Sequence, residues 1–431
     1  MSRMMKDSGI PWVGEIPCHW GVYFTSTLFH EHKERNVGLS EQNLLSLSYG
    51  AIKRKDINST DGLLPQSFET YNIIQKGDII LRLTDLQNDK RSLRTGLCNE
   101  KGIITSAYIC LRANNEMDSR YFHYLYHSYD VCKVFYGMGD GVRQGMNYED
   151  VRRIPVFLPP INEQRTISDY LDEKCSEIDE LITLQEKIID ELKLYKQSVI
   201  TKAVTKGLKP DVSMKDSGIE WVGMIPQHWG MKRIKYSCNM FGRIGFRGYT
   251  ADDLVSEGEG AITLSPSNMS DTALDYSHCS YLSWDKYYES PEIMVNNGDV
   301  LLVKTASVGK CVYVDNLPME ATVNPQILVL KNHQDNAKFL VYVFQTPEGI
   351  GYIETTKGGS TIYTISQEKI GNYIIAFPPK EEQNEIVEYL DKKCAEIDSL
   401  ISLKQSKIEQ LKEYKKSIIY EYVTGKKEVT N

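Results

Sequence analysis

One 17-residue segment occurs twice in this chain, and this duplication constrains the fold more than any other feature. MKDSGIPWVGEIPCHWG occupies residues 5–21 and MKDSGIEWVGMIPQHWG occupies residues 214–230, with differences at three positions. We call these segments the first box and the second box. A further pair, residues 159–200 and 378–419, aligns without a gap at an offset of 219 residues. Repetition at this scale indicates a duplicated unit, for which we expect a pseudo-twofold arrangement.

The second pair of repeated segments carries the pattern of long helices. Apolar residues recur alternately four and three positions apart, which is the spacing of a coiled-coil seam. Each segment begins with a Pro-Pro pair and contains no later Pro or Gly. We therefore expect the two helices to pair with each other, and the alternative is a long surface helix on a globular core. The predicted coiled-coil residues, which are also candidates for subunit docking, are Leu171, Ile178, Ile182, Ile189, Leu192, Leu390, Ile397, Ile401, Ile408 and Leu411.

Polar residues interrupt this seam at matching positions in the two helices. Gln185 corresponds to Lys404, and Lys196 corresponds to Lys415. Polar residues in a seam usually fix the register of the helices at some cost in stability. We expect the same role here.

Between the repeated segments lie two inserts, residues 22–158 and 231–377, which share little sequence. β-Branched and aromatic content predicts strands at 43–49, 78–83, 102–112 and 154–158, and at 261–264, 299–304, 322–330 and 374–377. Helical spacing predicts helices at 119–135 and 337–345. The inserts agree clearly only at KGDIIL (76–81) and NGDVLL (297–302), where a Gly-Asp turn would enter a buried strand. The pattern predicts one mixed α/β fold carrying two different surfaces.

The predicted domains follow from this alternation. The first insert with its box forms a domain at 1–158, and the first helix spans 159–205. The second insert with its box spans 206–377, and the second helix spans 378–425.

Composition places the chain in a broad class. Its 431 residues are 41% hydrophobic and 25% charged, as in soluble globular proteins, and no apolar run approaches a membrane span. The N-terminus lacks the apolar core of a signal peptide. The nine cysteines include no CxxC pair, which argues against a disulfide framework and against a zinc site. We expect a cytoplasmic protein without a metal. The net charge of −8 does not favour nucleic-acid binding, but it allows a basic surface.

Catalytic signatures are missing from the sequence. It contains no GxxxxGK[ST], GxGxxG, HExxH or GxSxG motif, and its Pro-Pro pairs stand in LPPI and FPPK instead of a methyltransferase [DNS]PP[YF] motif. His19 and His228 belong to the boxes and are expected to cap a turn. We predict no catalytic residue, which favours a binding or scaffolding protein.

Basic and polar residues concentrate in the predicted loops of the inserts. Such residues bind phosphates and base edges, although an ordinary solvated loop is the alternative interpretation. The candidates in the first insert are Arg82, Thr84, Gln87, Asn88, Lys90, Arg91, Arg94, Arg143 and Gln144. The candidates in the second insert are Arg243, Arg247, Lys304, Thr305, Ser307, Lys310, Ser360, Thr361 and Tyr363.

Taken together, two KDSGIxWxGxIPxHW boxes, two divergent inserts and two helices that begin at LPP or FPP followed by EQ resemble the specificity subunit of type I restriction–modification systems. The resemblance covers the whole chain, and DLQNDK (85–90) with ITSAY (104–108) resembles one recurrent subtype of its recognition domain. It implies two target-recognition domains, each of which reads one half of a split, asymmetric site in double-stranded DNA. It also implies antiparallel helices that set the spacer between the half-sites.

The same resemblance implies partners and cofactors. The helices would help to dock two methyltransferase (modification) subunits, and restriction or motor subunits could join them. S-adenosylmethionine, and ATP with Mg²⁺ where a restriction subunit is present, would bind to the partners and not to this chain. Two alternatives stay open: a stand-alone DNA methyltransferase or nuclease with unrecognised motifs, and a coiled-coil adaptor that binds only proteins.

The boxes themselves are rich in Trp, Gly and Pro, which suits a rigid turn packed on helix ends. Trp12, Trp20, Trp221 and Trp229 are the predicted anchors. The first box would meet the end of the second helix only if the chain closes into a pseudo-circle.

Overall fold

A computed structural model describes residues 3–58, 67–86, 93–137, 145–219, 222–243, 245–270, 273–358 and 363–429. The chain forms two compact units, one of residues 1–186 with 405–431 and one of residues 187–404. We call them the first unit and the second unit. Because each unit contains part of both long helices, the units do not follow the domain boundaries expected from the sequence. No helix in the described part of the chain is long and apolar enough to span a membrane.

Two long helices provide the frame. The first long helix, Ile161–Lys206, has 46 residues, and the second long helix, Lys380–Val423, has 44. Glu, Lys, Gln and Leu, which favour helices, are frequent in both, and Pro160 or Pro379 stands just before the start, where its missing N–H costs no helical hydrogen bond.

Within each unit the two long helices run antiparallel. In the first unit Lys415 contacts Asp179 at 2.7 Å, and the rings of Tyr170 and Tyr422 lie 4.4 Å apart. In the second unit the same ion pair recurs between Lys196 and Asp398 at 2.7 Å. The two lysines are the ones that the sequence places in the seam. Each therefore has a carboxylate partner on the opposite helix.

Several of the predicted seam residues join the core of their own unit. Leu171 and Ile178 join the core of the first unit together with Ile418 and Val423. Leu390 joins the core of the second unit with Ile200. The predicted residues that are fully buried are Leu171, Ile178, Ile189, Leu390, Ile397 and Ile408, and those that are half-buried are Ile182, Leu192, Ile401 and Leu411. Since these side chains pack within the chain, their predicted role in subunit docking needs correction.

The first unit contains short strands around a helix rich in aromatic residues. Its strands are Met5–Asp7, Glu15–Pro17, Gly21–Phe24, Phe29–Glu31, Leu45–Ser48, Ala51–Arg54, Asn72–Ile74, Ile79–Leu81, Thr95–Leu97, Gly102–Ile104, Ile109–Ala113 and Pro155–Leu158. Its helices besides the long ones are Thr25–Leu28, Ser119–Val131 and Tyr148–Val151. Asp118 caps the 13-residue helix by accepting a hydrogen bond from the N–H of Arg120, which explains why the helix begins there.

The second unit repeats this plan with additions. Its strands are Met214–Asp216, Met224–Pro226, Gly230–Arg233, Asn239–Gly242, Leu254–Val255, Gly260–Leu264, Ser280–Ser283, Val300–Val303, Cys311–Tyr313, Ala321–Val323, Ile327–Lys331 and Ile374–Phe377. Its helices are Trp284–Tyr288, Ala337–Phe344, Pro347–Thr356 and Gln367–Asn372. Its second four-stranded sheet is built on Gly260–Leu264, which runs parallel to Ala321–Val323, as Leu44 runs parallel to Ile103 in the first unit.

Each unit contains an antiparallel four-stranded sheet with the same arrangement of strands, which we call the shared sheet. In the first unit its order is Phe29–Glu31, Ile109–Ala113, Ile79–Leu81, Thr95–Leu97. In the second unit its order is Asn239–Gly242, Ile327–Lys331, Val300–Val303, Cys311–Tyr313. The mixed α/β content expected from the sequence is therefore confirmed.

The Gly-Asp turn occupies the same place in both sheets. Gly77 and Gly298 adopt φ of 94° and 97°, which glycine reaches without strain. The buried Asp78 accepts two hydrogen bonds from Arg112, and Asp299 lies 3.6 Å from Lys331. The shared motif is thus a turn closed by a buried carboxylate with a cation on the neighbouring strand.

Two predicted strands are corrected. The run 102–112 is two strands, because Thr105–Tyr108 forms a turn in which the Tyr108 N–H donates to Thr105 O at 3.2 Å. The run 322–330 is likewise interrupted, where the Ile327 N–H donates to Asn324 O. In both cases the turn lies between strands of different sheets, and polar or turn-forming residues stand at it: Thr105 and Ser106 in the first run, Asn324 and Pro325 in the second.

Candidate nucleic-acid interface

By sequence, eleven of the 18 predicted DNA-binding residues belong to equivalent connections between strands of the two units. Residues 82–94 connect Ile79–Leu81 to Thr95–Leu97, and residues 304–310 connect Val300–Val303 to Cys311–Tyr313. Both pairs of strands hold the same positions in the shared sheet. We call these connections the first reading loop and the second reading loop.

In each unit a second segment is hydrogen-bonded to the reading loop. In the first unit the Met146 N–H donates to Leu83 O at 2.8 Å, so the segment after residues 138–144 runs beside the start of the first reading loop. In the second unit the Ile365 N–H donates to Lys304 O at 2.9 Å, and the Ala306 N–H donates to Tyr363 O at 2.9 Å. The structure therefore brings together loops that lie about 60 residues apart in sequence.

Several predicted residues lie outside the described parts of the chain. They are Gln87, Asn88, Lys90, Arg91, Arg143, Gln144, Ser360 and Thr361. Of the first reading loop, Arg82 is half-buried and Thr84 is exposed.

Arg94 is completely buried, which corrects the prediction that it contacts phosphate. Its guanidinium donates to Thr84 O at 2.7 Å and to the carbonyls of Arg82 and Asp85 at 3.2 and 3.3 Å. Its backbone N–H donates to the carboxylate of Asp130. A guanidinium offers five donors in a rigid fork, so one side chain can hold three carbonyls. Arg94 therefore fixes the start of the first reading loop.

Arg243 and Arg247 are also occupied within the protein. Arg243 is only 5% exposed, and it donates to Val323 O at 3.2 Å and to Thr322 Oγ1 at 3.1 Å. Burial lowers its pKa. Arg247 pairs with Glu292 at 3.2 Å. For Arg243 the burial argues against direct contact with DNA, and the predicted role is corrected to structural support.

The second reading loop retains a cation at its base. Lys304 is half-buried, and this burial lowers the pKa of its amine. A phosphate beside the amine would favour its charged form, which the protein environment disfavours. Lys310 donates to Met269 O at 3.1 Å and so serves the fold.

The remaining predicted residues of this loop face outward to different degrees. Thr305 Oγ1 lies 3.1 Å from Thr364 Oγ1, and Ser307 is exposed. Tyr363 is half-exposed, with Lys357 Nζ 4.5 Å from its ring centroid. Hydroxyls, a cation and an aromatic ring thus meet where the second reading loop contacts residues 363–365.

The boxes pack on the ends of the long helices. In the first unit Glu163, in the first turn of the first long helix, accepts a hydrogen bond from Trp20 Nε1 at 2.9 Å and contacts His19 at 2.5 Å and Arg3. Burial opposes ionisation of Glu163, but the hydrogen bonds from Trp20 and His19 and the charge of Arg3 outweigh it and lower its pKa. His19 therefore pairs with a carboxylate instead of capping a turn.

The second unit repeats this contact between a box and the start of a long helix, which we call the corner. Glu382 accepts a hydrogen bond from Trp229 Nε1 at 3.0 Å and contacts His228 at 2.7 Å. Trp20 and Trp229 are buried, as expected of anchors, whereas Trp221 lies outside the described residues. Among the described residues no group of His, Cys, Asp and Glu could hold a metal ion.

Each box also meets the end of the other repeat's helix. Tyr420, near the end of the second long helix, donates to Trp12 O at 3.2 Å in the first unit. In the second unit Gly207, which follows the first long helix, lies so close that a Cβ there would be 3.3 Å from Trp229. The first box thus contacts both the start of the first long helix and the end of the second.

The structure also explains residues whose role the sequence analysis missed. Gln164 Oε1 accepts from the N–H of Asp118, and Gln383 Oε1 accepts from the N–H of Asn336, so each Gln ties a long helix to the N-cap of an insert helix. Further along, Asp172 binds Tyr124 and Asp391 binds Tyr342. The repeated EQ pair and the repeated Asp were the available signals. Their insert partners were hidden because the inserts share so little sequence.

Comparison with known proteins identifies the class. The sequence model of the family described as "Type I restriction modification DNA specificity domain" matches residues 49–194 and 283–413, which is more than half of the chain. The chain belongs to this family of type I restriction–modification DNA specificity proteins.

The relatives extend the match over nearly the whole chain. The putative type I restriction enzyme MjaX specificity subunit of Methanocaldococcus jannaschii is 27% identical, with 96% of this chain and 95% of that protein covered. The MjaVIII specificity subunit of the same organism is 25% identical, over 86% and 84%. A solved chain from a study of complex assembly and conformational transition of the type I R-M system has a TM-score of 0.72 at 16% identity, covering 95% of this chain and 98% of that one. The HsdS subunit from Thermoanaerobacter tengcongensis has a TM-score of 0.51 at 17% identity, over 95% and 98%.

Proposed function

We propose that this chain reads a bipartite, asymmetric DNA target, with one reading loop and its neighbouring loop assigned to each half-site. The observation that carries the proposal is the placement of chemically different loops at the same position of a shared sheet, on a frame that repeats almost unchanged. A constant frame with variable loops suits two different half-sites and two identical partners. The major groove offers a distinct donor and acceptor pattern for each base pair, so polar loops of this kind can discriminate sequence there.

The long helices are proposed to form an antiparallel coiled coil that sets the spacer between the half-sites. The Lys415–Asp179 and Lys196–Asp398 pairs support this, because each fixes the helix register within its own unit. A helix of 46 residues is about 69 Å long at roughly 1.5 Å per residue. That length is sufficient to span the roughly 34 Å between major-groove sites one helical turn apart.

Exposed leucines on the long helices are the proposed docking surface for two methyltransferase subunits. Leu181 and Leu184 are 46% and 51% exposed, and their repeat equivalents Leu400 and Leu403 are 47% and 64% exposed. Equal positions in the two repeats suit two copies of one partner. These four side chains replace the buried seam residues as docking candidates, since an exposed apolar pair is available to a partner and a seam residue is not.

The chain is proposed to perform no chemistry itself. S-adenosylmethionine, together with ATP and Mg²⁺ where restriction subunits take part, would then bind to the partners. If the chain were instead a stand-alone methyltransferase, it would bind S-adenosylmethionine without any partner subunit, which calorimetry on the isolated chain can detect.

Exchange of the first insert tests the proposal. Residues 22–158 are replaced by the corresponding insert of another specificity subunit, and methylation of genomic DNA by the assembled complex is mapped. We expect one half-site to change while the other half-site and the spacer stay the same. A change in both half-sites, or in neither, would contradict the assignment of one half-site to each insert.

A further inference from the structure

The first insert carries a β-hairpin whose tip is unusual. Leu45–Ser48 pairs with Ala51–Arg54, and Ser48 lies opposite Ala51, so Tyr49 and Gly50 form a two-residue turn. Their φ values are 48° and 81°. Both are positive, as in the turns that match the twist of a hairpin, where Asn-Gly is the favoured sequence. A tyrosine in this left-handed conformation is strained, since its Cβ crowds the backbone.

Tyr49 gains nothing for the fold that offsets this strain. Its side chain is 78% exposed, although a tyrosine normally contributes to stability by burial. Strain kept at an exposed aromatic tip indicates a role outside the folding of the domain.

The hairpin tip lies against the first reading loop. A Cβ on Gly50 would be 3.0 Å from Cδ1 of Leu93, the residue before the loop anchor Arg94. The hairpin itself packs across the strand that leaves the loop, because Leu47 and Ile52 close over Gly96. Tyr49 is therefore held by the same strands that hold the first reading loop.

Charge on the hairpin favours an anionic partner over a protein surface. Lys53, Arg54 and Lys55 follow the tip in succession and are exposed, and Arg54 pairs with Glu100. Cations beside a protruding ring are suited to contact the backbone and the bases of one DNA segment together.

We propose that Tyr49 is a specificity-determining residue whose ring makes apolar contact with bases of the half-site read by the first insert. This rests on the proposed function. The ring, and not the hydroxyl, carries the interaction, as in the apolar contacts that side chains make with thymine methyl groups in the major groove. The hairpin presents the ring at its turn, so the contact requires no helix of the first insert.

The test uses the complete complex with its methyltransferase subunits and DNA that contains the target found by methylation mapping. Tyr49→Asn removes the ring and suits the left-handed conformation, so the fold is retained or stabilised. We expect affinity for the target to fall about tenfold, and affinity for DNA with a scrambled first half-site to stay the same. Tyr49→Phe should bind like the wild type. Tyr236→Asn, at an exposed tyrosine beside the second box, is the matched control and should also bind like the wild type.

Three outcomes would overturn the inference. They are unchanged target affinity of Tyr49→Asn, an equal loss on scrambled DNA, and a loss that disappears once reduced assembly with the methyltransferase is corrected for by mass photometry. If the wild-type complex itself showed no preference for the target, the proposed function would fail instead.

Discussion

Single carboxylates at the start of the long helices hold the boxes in place, and Glu382 provides the clearest test. Its side chain accepts a hydrogen bond from the buried Trp229 indole and contacts His228. Removing it leaves the indole N–H without its acceptor, which costs about 1–3 kcal/mol for a buried donor. We expect Glu382→Ala to lower the free energy of unfolding of the second unit by about that amount, as measured by urea denaturation of the full chain.

The neighbouring residue supplies the control for this change. Glu381 is exposed in the same helical turn, so Glu381→Ala alters charge and helix propensity equally but leaves the corner intact. Equal effects of the two substitutions would show that the corner contributes nothing beyond the general charge at the helix start.

At the scale of an element, the insert helix Ser119–Val131 carries two histidines that the sequence analysis left unassigned. His123 and His127 lie with ring centroids 6.3 Å apart. Burial, together with the neighbouring His127, lowers the pKa of His123 to about 3, and burial together with the charges of Lys415 and Lys416 lowers the pKa of His127 to about 4. Both histidines are therefore neutral in the folded protein near pH 5.

Acid should destabilise this helix selectively. Because the folded pKa values lie below the ordinary value near 6.5, the unfolded chain takes up protons first as pH falls. The stability is fully present above about pH 6.5 and is lost progressively towards pH 4 and 3. We expect the free energy of unfolding to fall by about 2 kcal/mol between pH 7 and 5 because of this pair, after allowance for partial exposure.

The second unit provides the matched replacement. Counted from the N-caps Asp118 and Asn336, Val341 and Gln345 hold the positions of His123 and His127. The free energy of unfolding of each protein is expressed relative to its own value at pH 8. On this scale the variant His123→Val with His127→Gln should lose less stability in acid than the wild type. An identical pH dependence in both proteins would rule out the histidines as its source.

At the scale of the whole molecule, the sequence predicted the features that repeat. The boxes, the long helices and the shared Gly-Asp strand recur in the chain, so each pattern could be checked against its copy. The partner of Gln164 and the fixing of the loop by Arg94 could not be predicted, because each depends on a contact with a segment that does not repeat. Glu163 and Trp20 both belong to repeated segments, but the repeats do not specify how a box packs against a helix. The same holds for the strands on either side of the turn at Thr105–Tyr108. Thr105 and Ser106 signal a break, but the local sequence carries no signal for which sheet each part joins.

The length of the long helices leads to a prediction about DNA spacing. Seven residues added at Lys187, and seven at the repeat-equivalent Ser406, keep the spacing of the seam because seven residues form one heptad. They lengthen each helix by about 10.5 Å, which corresponds to about three base pairs at roughly 3.4 Å each. Methylation mapping should therefore find the same two half-sites with a spacer about three base pairs longer. Insertion into one helix alone should lower the free energy of unfolding, since the seam residues of that helix would no longer face their partners on the other helix. An unchanged spacer in the doubly extended protein would show that something other than the helices sets the distance.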